Sequence, residues 1–178
     1  SREGKKGLKA TWAQGIGGTG KDYIEAVSET SDGGYIVGGY FDSSTIDLGN
    51  GISLTNQGSD DGMVIKYNSE REVEWAQTVG GAGINQIETV SETSDGGYIV
   101  GGNFNSTINL ENGTSLISKC ESPFSGITDT GMLIKYDSVG NIEWARGLGG
   151  TKELTINSVV ETKDGGYIVG GYFDGSVD

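Results

Sequence analysis

Apolar positions in this chain fall in short runs separated by Asp, Gly, Asn and Ser, and no stretch sustains a 3.6-residue apolar period. The pattern predicts strands and almost no helix. It also recurs. "SDGGYIVGG" stands at Ser31–Gly39 and Ser94–Gly102, and "KDGGYIVGG" at Lys163–Gly171, at offsets of 63 and 69 residues. Trp12, Trp75 and Trp144 keep the same offsets. A fixed period of this kind is the mark of repeated supersecondary units.

Each unit predicts four strands. In the first unit these are Tyr23–Thr30, Tyr35–Phe41, Met63–Tyr67 and Val73–Val79. The Asp-Gly pair in "SDGG" suits a tight hairpin between the first two. The second and third strands are continuous apolar runs, as expected when both faces are covered. The fourth alternates, with Val73, Trp75 and Val79 expected on one face and Glu74 and Thr78 on the other. Between the second and third strands, "STIDLGNGISLTN" (44–56) matches "STINLENGTSLIS" (106–118). Each carries an Asn-Gly pair and predicts an added hairpin projecting from its unit. The insertion holding Cys120 and Pro123 is expected in a surface loop.

A sheet whose inner strands are sandwiched and whose outer strand is half wet matches a propeller blade. The expected fold is therefore all-β, with blades of four antiparallel strands. The chain holds about two and a half to three blades in one domain, residues 1–178. The units run about 21–80, 84–149 and 153–178, with an N-terminal outer strand over 8–16. A β-trefoil is the alternative, although it expects three whole repeats. Eleven blade strands do not close a ring alone. The chain is thus expected to be a fragment of a longer propeller, or to close a ring with another copy as a homo-oligomer.

Composition narrows the chemistry. The 33 glycines and single proline fit many tight turns. A net charge of −13 opposes binding to nucleic acid. No apolar run approaches the length of a membrane-crossing helix. With no histidine and one cysteine, Ser-His-Asp and Cys-His catalysis, zinc sites built on those residues and an internal disulfide are all excluded.

The unit resembles bacterial β-propeller repeats of secreted and surface proteins. The resemblance rests on "DGMVIKYNSEREVEW" through "DGGYIVGGYF", and it covers nearly all of residues 5–178. Arg71 or Glu72 stands where the second unit has Gly140. "YIVGGYFDGS" (167–176) also looks like a kelch strand with its Gly-Gly doublet. The resemblance implies blades, a secreted or cell-surface location and a binding or scaffolding role. It does not fix a ligand, because one fold serves many functions. Kelch-type copper oxidases use histidine ligands, which this chain lacks.

Candidate residues follow from what recurs. Tyr40, Phe41 and Asp42, Phe104 and Asn105, and Tyr172, Phe173 and Asp174 end the second strand of each unit. They are the expected ligand-binding positions, and their aromatics are the ones a lectin would repeat per blade. The oxygens of Asp42, Asn105 and Asp174, and of Asp47, Asn109 and Asp178, suit Ca²⁺, but these residue types also form turns. No other cofactor is implied. Glu29, Glu92 and Glu161, with Lys66 and Lys135, recur once per unit, which fits structural pairs better than a unique catalytic group. The Trp triplet fits blade anchors better than a sugar platform. Asn105 and Asn112 match the glycosylation acceptor pattern. "GIGGTGK" (15–21) imitates a phosphate loop. Asp22 stands where that loop needs Ser or Thr, and a strand, not a helix, is predicted to follow. These readings give a non-catalytic module that binds protein or glycan. The alternatives are a lectin propeller, or part of a propeller enzyme whose active residues lie elsewhere.

Overall fold

The computed structural model describes residues 12–119, 129–149 and 152–174. These residues form fourteen strands, every strand pair antiparallel, and no helix. Strands β1 (Asp22–Glu29), β2 (Tyr35–Phe41), β5 (Asp61–Tyr67) and β6 (Val73–Val79) make one sheet in that order. Strands β7 (Asn85–Glu92), β8 (Tyr98–Phe104), β11 (Thr130–Tyr136) and β12 (Ile142–Leu148) make a second with the same order. Strands β13 (Leu154–Glu161) and β14 (Tyr167–Phe173) pair as a third, shorter sheet. Hairpins β3 (Thr45–Gly49) with β4 (Ile52–Thr55), and β9 (Thr107–Asn109) with β10 (Ser115–Ile117), lie between the second and third strands of the two large sheets.

Apolar burial stacks the sheets face to face. Ile36 and Val64 of the first sheet pack with Ile87, Val90, Val100 and Ile134 of the second. Ile99 and Leu133, on the second sheet's other side, pack with Ile156 and Val159 of the third. The second sheet is thus covered on both faces, and all seven residues of β8 and of β11 are buried. This explains why their sequences are unbroken apolar runs.

Three expectations differ from what is observed. Trp12–Gly18, which include part of the expected N-terminal outer strand, carry no regular structure, because no strand among the described residues lies beside them to complete a ladder. The rest of that strand lies outside the described residues, as do Cys120, Pro123 and Asp178. The hairpins do not project. Ile46 and Leu54 are buried against Phe41 and Met63, and Ile108 and Leu116 join the cluster between the sheets. Val73 and Trp75 also face opposite ways. The β5–β6 register slips between Lys66 and Tyr67, which leaves Glu74 as the extra residue of a bulge. Val73 therefore packs on the first sheet's outer cluster, and Trp75 packs on the second sheet.

Candidate functional site

The recurring turn is built from its own side chains. Gly33 takes φ +81° and donates to the Thr30 carbonyl at 2.9 Å, a left-handed geometry that glycine adopts at little cost. The Asp32 carboxylate accepts from the Thr30 hydroxyl at 2.5 Å and from the Gly34 amide at 2.9 Å. The Lys66 ammonium, fully buried, donates to Asp32, to Glu74 and to the Tyr67 carbonyl, each at 2.8 Å. Lys135 repeats the arrangement with Asp95, Glu143 and the Tyr136 carbonyl. Burial pulls both ammonium groups down, but their carboxylate partners outweigh it and hold them above the usual lysine value. A lysine held charged by two carboxylates is a poor base or nucleophile. The recurring Lys positions are therefore structural ties between turn, third strand and fourth-strand bulge. The recurring Glu positions tie one sheet to the next. Glu92 accepts from the Ser31 amide and hydroxyl at 2.8 Å each, and Glu161 accepts from the Ser94 amide at 2.6 Å.

The tryptophans pack at the junctions. Trp75 lies 5.7 Å from both Tyr98 and Tyr136, and Trp144 lies 5.5 Å from Tyr167. Trp12 lies 5.7 Å from Tyr35, with the Arg71 guanidinium 4.9 Å above its ring. Arg71 takes φ 72°, and Gly140, which takes φ 90°, sits under Trp75. Arg71 is thus the counterpart of Gly140: its guanidinium stacks on Trp12, whereas Gly140 meets Trp75, the tryptophan at the matching position of the next unit, with bare backbone.

The positions expected to bind ligand separate into buried and exposed groups. Phe41 and Phe104 are fully buried in the hydrophobic clusters. Tyr40 is half-buried and stacks on Tyr23 with ring centroids 4.8 Å apart. Tyr172 and Phe173 are exposed, since no further strand lies beside β14 among the described residues. Asp42 and Asn105 close the loop that leads into each first strand. Asp42 accepts from the Lys21 amide, and Asn105 from the Ile84 amide at 2.8 Å. Asp174 is exposed and pairs with Lys152 at 3.5 Å. Asp47 accepts from the Gly49 amide, and Asn109 from the Ser115 hydroxyl. Among the described residues no group of three or more acidic or cysteine side chains is placed to hold a metal ion.

One cluster was not singled out in the sequence. Each first strand carries a bulge, between Ile24 and Ala26, between Ile87 and Thr89, and between Ile156 and Ser158. The extra residues are Glu25, Glu88 and Asn157. Burial, then Glu25, then Asp129 push the Glu88 carboxyl above the usual range. Burial and Asp42 do the same to Asp60. Burial, then Glu25, Tyr23, Glu88 and Asp60 raise the Tyr40 phenol. Tyr23 and Tyr40 are paired in register and stacked, and Glu25, Asp60 and Glu88 lie near enough for their charges to bear on the Tyr40 phenol. The signal was in the sequence. Ile24 and Val27, like Ile87 and Val90, are three residues apart, and a strand with period two buries both only by inserting a residue.

Comparison with known proteins gives no relative: no family model matches the chain, and no curated protein sequence matches it.

Proposed function

We propose that the chain is a propeller-type, non-catalytic binding module of a secreted or cell-surface protein. It meets a protein or glycan partner at the edge marked by Tyr23, Glu25, Tyr40, Asp60 and Glu88. The observation that supports this reading is the stacking of two four-stranded sheets of identical order, each ending on its first strand, whose bulge carries a carboxylate. Stacked four-stranded meanders favour blades over a trefoil. The paired tyrosines offer flat apolar faces beside acceptor oxygens. That combination suits a sugar ring or a partner's cationic side chains. The lysines that a catalytic reading would need are engaged as ion-pair donors.

The experiment is a glycan array and a panel of basic and acidic peptides, probed with the chain and with its Tyr40→Ala and Glu88→Gln variants. Selective binding that falls at least tenfold in both variants supports the reading. Binding that both variants retain in full overturns the assigned edge.

A further inference from the structure

We propose that a second copy of this chain docks head to tail on the first, the β1 face of one copy seated on the β14 face of the next. The junctions already inside the molecule define the fit. At the first junction Ile87 and Val90 insert at Gly38. A Cβ at Gly38 would stand 2.6 Å from Val90 Cγ1 and 2.8 Å from Ile87 Cγ2. At the second, Ile156 inserts at Gly101, where a Cβ would stand 2.9 Å from its Cγ2. Each inserting pair is at most 8 % exposed, and Ile36 and Ile99 beside the glycines are fully covered.

Among the described residues both halves of this fit stand open, one on β1 and one on β14. The counterparts of the inserting pair on β1 are Ile24, 40 % exposed, and Val27, 62 % exposed. The counterpart of the receiving glycines is Gly170, where a Cβ would meet nothing nearer than the Cβ of Ser158 at 3.9 Å. Ile168 beside it is 61 % exposed. A groove of about 270 Å³ lies along the β1 face, lined by Trp12, Ile16, Ile24, Val27, Tyr35 and Arg71 among others. The open faces are therefore an unused inserting surface and an unused receiving surface of one pattern, which a copy of the same chain carries in full.

Charge supplies the second argument. At both internal junctions a glutamate of the incoming sheet is hydrogen-bonded to the serine that opens the preceding turn, Glu92 to Ser31 and Glu161 to Ser94. The glutamate at the open inserting end is Glu29. The turn residue at the open receiving end is Lys163, not serine. Both are exposed. At the internal junctions the glutamate meets an uncharged serine, whereas the two open faces carry opposite charges, Glu29 and Lys163, at the matching positions. Opposed charges steer and orient an encounter between separate molecules. The net charge of −13 works against association of copies, and this pair places a favourable charge contact where the apolar faces would meet.

The contact is heterologous and yields either a closed ring or an open chain of copies. It rests on the junction geometry and not on the propeller reading. An open series would leave this inference standing and remove the closed ring. Sedimentation velocity of the chain from micromolar to near-millimolar concentration, at physiological salt, tests it. The expected result is concentration-dependent association. Val27→Lys, at an exposed position, should abolish association while leaving the β-sheet circular dichroism unchanged. Glu29→Lys and Lys163→Glu should each weaken association by about fivefold, the scale of one exposed pair. The double variant should restore it. A chain that stays monomeric throughout overturns the proposal, as does association that Val27→Lys leaves intact or that the double variant fails to restore.

Discussion

Asp32 lies in the turn between β1 and β2 and Glu88 in the bulge of β7, and the fold moves the two carboxylates in opposite directions. The Lys66 ammonium, with the Thr30 hydroxyl and the Gly34 amide, holds Asp32 at about 2, below its ordinary 3.8. Its contribution to stability is present above pH 3.8 and is lost as pH falls through 2. Asp32→Asn should therefore lower the melting temperature at pH 7 and flatten the acid limb between pH 4 and 2. An unchanged limb would show that the ion pair adds nothing. For Glu88 the sign reverses. Burial and its acidic neighbours raise it above its ordinary 4.5, so the folded state binds the proton more tightly than the unfolded chain does. Stability attributable to this group is full below pH 4.5 and falls as pH rises through the raised value. Glu88→Gln should raise the melting temperature at pH 7, with the gain vanishing below pH 4.5. A variant that melts lower at pH 7 would refute the assigned environment. Little of this contrast was legible from residue type. The repeat drew attention to Glu29, Glu92 and Glu161, which are turn acceptors or their counterparts. Glu25 and Glu88 are counterparts at the same bulge, but Asn157 stands in the third position, so the recurrence is incomplete.

At the scale of elements, the strands were legible because apolar runs and Asp-Gly turns are local signals. The bulges were not, because each depends on which face its neighbours must bury. Glu74 shows why. Simple alternation puts Val73 with Trp75, but Lys66 is buried and needs a second carboxylate. The bulge turns Glu74 toward it and sends Val73 to the opposite face. The hairpins show the same limit. "IDL" and "ISL" predict strands, but only the sheet beside them makes Ile46 and Leu54 core residues. The glycines of β2, β8 and β14 are identical in sequence and differ in what they face. Gly38→Val should destabilise the chain by about 1–3 kcal/mol, the usual penalty of overpacking a filled interface. Gly170→Val should cost less than about 0.5 kcal/mol in the dilute monomer, as at an open surface position. Urea denaturation of both variants measures the difference, and equal losses would contradict the open receiving face.

For the molecule as a whole, the apolar clusters lie in series, one on the outer face of the first sheet and one at each junction. Each sheet touches its neighbours in sequence, so stability is close to a sum of unit and junction contributions. Among the described residues the second sheet alone lies between two other sheets. Amide exchange should be slowest in β8 and β11 and fastest in β14, whose side chains are largely exposed. Uniform protection across all three would mean a single undivided core. The all-β class and the antiparallel four-strand sheets could be read from the sequence because the repeat supplied several views of one element. The opposite characters of the two end faces could not. They belong to how units meet, and they show only when filled and unfilled junctions stand side by side.

The near-identity of β2, β8 and β14 has a consequence for how the chain reaches this structure. β5 and β11 are also close copies, reading "MVIKY" and "MLIKY" over their shared core. Side-chain chemistry therefore barely distinguishes the correct β2–β5 partnership from a β8–β5 one displaced by an entire unit. What selects the native match is the length of chain to be closed, and that penalty grows only with the logarithm of the loop. Refolding is thus guided by proximity along the thread more than by recognition between strands. Refolding from full denaturation is therefore expected to show a slow phase from whole-unit slips, which unpair before the right neighbours meet.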